Sequence, residues 1–103
     1  MKRPPEIQIN QFQLAILLDN SQKEFYNYVL ADNVFCGHCG GVAGKGIIVD
    51  EIYLTSLNDV MVRGICRVCN GKVARCLEFG EDKAFYNRAT DFRKSINPSN
   101  GKM

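Results

Sequence analysis

Apolar positions along this chain of 103 residues recur at helical spacing near both ends and in strand-like runs through the middle. Ile7 and Ile9 lie in a proline-led, extended stretch with the potential to pack on something. From Phe12 to Leu30 the spacing is helical. Asn10 is placed to cap a first short helix with Phe12, Ala15 and Ile16 along one side. Asp19-Asn20-Ser21 then interrupts, and Ser21-Gln22-Lys23-Glu24 has the form of a capping box, in which hydroxyl and carboxylate reciprocally satisfy free N–H groups. A second helix follows, with Phe25, Tyr28 and Val29 at i, i+3 and i+4 as an aromatic-rich face expected to cover the rest of the domain. A single helix over 11–31 is the alternative.

Ile47-Ile48-Val49-Asp50-Glu51-Ile52-Tyr53-Leu54 is dominated by β-branched and aromatic residues and reads as a strand. Ser56 to Asn58-Asp59 is a turn, Val60 to Ile65 a second strand and Lys72 to Phe79 a third, which together predict a three-stranded antiparallel sheet. Beyond Gly80-Glu81-Asp82, the residues Phe85, Ala89, Phe92 and Ile96 recur at +4, +3 and +4. That stripe predicts an amphipathic helix, with Glu81 and Asp82 near its positive end. Pro98 ends it, and 98–103 reads as a frayed tail. The expected class is α+β in a single domain: an N-terminal helical segment over 1–33, the sheet region over 34–79, a C-terminal helix over 80–97 and the tail.

Two cysteine pairs punctuate the sheet region. Cys36-Gly37-His38-Cys39 is followed by Gly40-Gly41, and Cys66-Arg67-Val68-Cys69 by Asn70-Gly71. Each C-x-x-C folds into a tight turn that aims two thiolates at one point, and the residues after it supply the positive-φ position such a turn needs. Two such turns can close on one tetrahedral Zn²⁺. Cys36, Cys39, Cys66 and Cys69 are therefore the candidate ligands of one zinc per chain. Paired knuckles of this kind, with strands between and after them, resemble the zinc ribbon class over roughly residues 34–79. The resemblance implies a three-stranded sheet with the metal at one end, and identifies no specific family.

Cys-Gly-His-Cys is also the redox motif of protein disulfide isomerase, so a thiol-disulfide role for Cys36 and Cys39 is a competing, distant reading. A thioredoxin-type motif opens a helix that lowers the first thiol's pKa, whereas here it runs into Gly40-Gly41-Val42-Ala43-Gly44-Lys45-Gly46, which cannot hold one. The cis-proline of that fold is missing too, since Pro4, Pro5 and Pro98 all lie in the tails. Neither pair is followed by the histidine of a c-type haem site.

A domain this small gains from a staple, and structural zinc contributes roughly 10–16 kcal/mol in finger peptides. Five cysteines in a chain whose only apolar run near the N-terminus, Leu14 to Leu18, is too short for a signal sequence predict a cytoplasmic protein with reduced thiols. No stretch is long enough to span a bilayer. A single histidine, no phosphate-cradling loop and a metal site closed by four thiolates give no foothold for catalysis or a small-molecule substrate. His38 reads as an outward-pointing knuckle residue and Cys76 as a free, half-buried thiol on the third strand. The net charge of +2 hides one local excess. Val60 to Leu77 contains Arg63, Arg67, Lys72 and Arg75 and no acid, a basic hairpin suited to phosphate backbones of DNA or RNA, with Arg88, Arg93 and Lys94 as an extension. A nucleic-acid-binding accessory role is one expectation. A protein-interaction adaptor using Phe25-Tyr26-Asn27-Tyr28 is the other.

Overall fold

The computed structural model of the protein describes residues 4–96. In chain order the elements are β1 (Ile7–Ile9), α1 (Gln11–Leu17), α2 (Asn20–Asp32), β2 (Phe35–Cys36), β3 (Gly41–Val42), β4 (Ile47–Leu54), β5 (Val60–Cys66), β6 (Lys72–Leu77), a 3₁₀ turn (Phe79–Glu81) and α3 (Lys83–Ile96). The class is α+β. The tail at 98–103 lies outside the described residues.

The predicted meander β4–β5–β6 forms, and the sheet gains a fourth strand, giving the order β1-β4-β5-β6. β1 comes from the proline-led stretch, where Ile7 and Ile9 pair with Leu54 and Ile52 and turn their side chains to the core face. Strand alternation then sorts the sheet. Val60, Val62 and Cys66 of β5, and Val73 and Leu77 of β6, are buried on one face beneath the helices. Arg63, Lys72, Ala74 and Cys76 are exposed on the other. Asp50 is a bulge residue between the Val49/Gly64 and Glu51/Arg63 pairs. A side chain at Gly64 would run into the Ile48 carbonyl there, so glycine lets β4 and β5 close together.

Two helices, not one, span the N-terminal segment, and both are opened by capping boxes. Asn10 accepts from the Gln13 N–H while the Gln13 side chain accepts from the Asn10 N–H, each at 2.8 Å. The second box is two residues earlier than predicted: Asp19 and Gln22 fill the roles assigned to Ser21 and Glu24. The faces are also rotated from the expected ones. α1 buries Leu14 and Leu17 and leaves Phe12 83% and Ile16 73% exposed. α2 buries the expected Val29 together with Gln22 and Tyr26, while Phe25 and Tyr28 stay 47% and 55% exposed. Gln22 explains the choice for α2, because its amide is held between Arg88 and Asp82, which fixes that row inward.

α3 forms as predicted and buries Phe85 and Ala89 completely. Phe92 is only partly buried and Ile96 is exposed, so the stripe docks at its first half. Two arginines expected to extend a basic surface are instead turned inward. Arg88 donates to the Leu17 carbonyl at the end of α1 and to Gln22. Arg93 donates to the Pro5 and Thr55 carbonyls and to Asn58 Oδ1. Asn58, fully buried with φ of 62°, donates in turn to Tyr86 O and Thr90 Oγ1, which ties the β4–β5 turn to α3.

Candidate metal centre

The two knuckles are built alike. Each crowns a two-stranded hairpin, β2–β3 for the first and β5–β6 for the second. In each, an N–H four residues on closes the turn on the first cysteine's carbonyl: Gly40 to Cys36 and Asn70 to Cys66, both at 2.9 Å. Gly40 takes φ of 80° and Asn70 of 62°, the positive-φ positions expected after each pair. In the second knuckle the Val68 N–H donates to Cys66 Sγ and the Gly71 N–H to Cys69 Sγ, each at 3.4 Å.

These turns bring Cys36, Cys39, Cys66 and Cys69 together with all four sulfurs within 4.8 Å of one another. Cys36 and Cys69 stand 3.5 Å apart and Cys39 and Cys66 3.8 Å. A tetrahedron of thiolates around an ion at the usual Zn–S distance has edges of about 3.8 Å, so the donor set and its spacing fit a metal ion. Cys36 and Cys66 are buried at the base, and Cys39 and Cys69 face solvent. Protons are unevenly held within the cluster. Cys66 is drawn down to about 7, chiefly by the Cys69 and Val68 N–H groups, and Cys39 is pushed up to about 12 by its contacts with the Cys69 and Cys66 thiols.

His38 is exposed, as expected of a knuckle's middle residue, and its ring lies against Gly71 of the opposite knuckle. Cys76 is exposed on the outer face of β6, farther from the core than the half-buried position expected. Its thiol is shifted up by partial burial and by Asp59 and Glu78.

The four basic residues of the hairpin do not share one face. Arg63 and Lys72 are exposed on the outer face and Arg67 projects from the knuckle. Arg75 is the register partner of Val62 on the core side, and donates to the Asn33 carbonyl at the end of α2 at 2.8 Å. Glu51, absent from the hairpin's own sequence, lies directly across from Arg63, and the Arg63 guanidinium sits 5.2 Å from the Tyr53 ring centre. Asp50 and Glu51 line the same shallow hollow as Arg63 and Lys72. Sequence reasoning missed the acids because they arrive from β4 through the bulge.

Among the described residues no helix is long and apolar enough to cross a membrane. Compared with protein-family models, with curated protein sequences and with solved structures, the chain matches none.

Proposed function

We propose that this chain is a zinc-stapled interaction module, whose task is to hold another protein, and that it carries out no catalysis itself. Zinc is the natural occupant of a closed tetrahedron of thiolates, and it contributes rigidity without redox chemistry. In this reading Cys36, Cys39, Cys66 and Cys69 lock the two hairpins together.

The observation that carries the adaptor reading is the pair of outward apolar rows on the N-terminal helices. Phe12 and Ile16 on α1 and Phe25 and Tyr28 on α2 are exposed, although each helix buries a separate row of its own. Large exposed apolar groups on adjoining elements are a mark of a docking surface. A second reading, contact with DNA or RNA phosphates, rests on the exposed Arg63, Arg67 and Lys72. It is weakened by the inward turn of Arg75 and by Glu51 across from Arg63.

The test compares three forms of the metal-loaded protein: wild type, Phe25→Ser with Tyr28→Ser, and Arg67→Ala with Lys72→Ala. Each is assayed for an identified protein partner and for mixed-sequence duplex and single strands at low salt. Partner binding lost only in the aromatic variant supports the adaptor. Nucleic-acid binding lost only in the basic variant overturns it.

A further inference from the structure

The partner surface can be narrowed to one edge of the sheet, an inference that rests on the adaptor reading. β6 is a terminal strand of the four-stranded sheet, and β2, which belongs to the two-stranded sheet, packs against it. The Cys66 N–H donates to the Gly71 carbonyl, which makes that pair the hydrogen-bonded kind, and strict alternation assigns the same kind to Gly64/Val73, Val62/Arg75 and Val60/Leu77. The N–H and C=O of Cys76 therefore point away from β5, to the side on which no strand of the sheet pairs with β6. Such an edge is a template for another strand.

A hollow of about 540 Å³ opens beside that edge, between β6, the start of α2 and the 3₁₀ turn. Its walls combine two chemistries. The half-exposed ring of Phe25, packed edge-on to Phe79 at 6.1 Å, gives an apolar wall. Glu78, Glu81 and Asp82 give an acidic rim. Arg75, the basic residue beside them, is engaged by the Asn33 carbonyl.

We infer that this edge and hollow receive an extended segment of a partner protein that adds a strand antiparallel to β6 at Cys76. The segment alternates an apolar side chain, set against Phe25, with lysine or arginine facing Glu78 and Glu81. Main-chain bonds to the Cys76 N–H and C=O supply the alignment, and the acids supply selectivity for a basic sequence.

The experiment selects ligands for the zinc-loaded full chain, in reducing buffer, from a displayed library of random heptapeptides. The recovered peptides are then titrated against variants. The expected result is enrichment of peptides alternating apolar and basic residues, with the Cys76 amide among the largest NMR shifts. Glu78→Lys with Glu81→Lys weakens binding tenfold or more. Cys76→Pro deletes the outward N–H without touching the ladder to β5, since proline is tolerated at such an edge position. It weakens binding about tenfold, while Cys76→Ser leaves it unchanged. Enriched peptides that carry no basic residues, or that shift α1 and Tyr28 instead of β6, overturn the edge proposal and leave the adaptor reading standing. Absence of any peptide ligand, with nucleic acid bound through Arg67 and Lys72, overturns both.

Discussion

Arg93 joins three segments that are distant in the chain, by donating to Pro5 O, Thr55 O and Asn58 Oδ1. Partial burial holds its pKa below the usual guanidinium value, yet it stays charged, and its planar fork is what reaches several acceptors at once. Arg93→Lys keeps the charge and loses most of that geometry. It should cost roughly 1.5–3 kcal/mol in urea unfolding, the range for hydrogen bonds to a charged group. Tyr26 presents the opposite case: its hydroxyl is buried without a partner and burial raises its pKa to about 12. Tyr26→Phe should therefore raise stability, by about 1 kcal/mol, in the same assay. Neither role is legible in sequence. A helical arginine with neighbours Asp91 and Lys94 reads as solvated, and nothing local reports that the carbonyls it serves lie in a turn and a lead-in far upstream. The knuckle cysteines are the contrast, since their spacing and the Gly40 and Asn70 that follow encode the turn within a few residues.

Among the elements, α3 offers the cleanest test of docking. Phe85 is fully buried against Phe79 at 5.4 Å between ring centres, whereas Phe92 is only partly covered. Phe85→Ala should cost about 3–5 kcal/mol and Phe92→Ala distinctly less. Equal losses would mean that the helix lies differently on the sheet. The bounds of β4 were legible because β-branched and aromatic residues dominate it, and the existence of α3 because its apolar stripe repeats at helical spacing. β1 was not, since three residues after two prolines hold too little pattern to separate a strand from an extended lead-in. The buried faces of α1 and α2 were missed, except at Val29, for another reason: each helix carries two apolar rows. Tertiary partners such as Arg88 and Asp82, which hold Gln22 inward, decide between them.

In the whole molecule the four-cysteine end and the helix-covered end differ in what holds them. The β2–β3 hairpin has two residues in each strand, too few to persist alone. The opposite end buries Leu54, Val60, Val62, Leu77 and Phe85 beneath helices. Chelation should therefore release amide protection over 34–46 and 66–71 first, with residues 52–62 exchanging later, as hydrogen exchange would follow. Acid should act in the same order, because protons compete with metal for thiolates. The basic excess also looks different at this scale. Four thiolates on a divalent ion would carry two net negative charges, and Arg67, next to Cys66 in the chain, brings a positive charge to that knuckle.

The most direct measurement is metal content together with thiol count on the purified, folded chain. The expected result is one zinc per chain, with one thiol, Cys76, reacting promptly and four more only after chelation. A metal-free protein in which Cys36 and Cys39 are recovered as a reversible disulfide would contradict it.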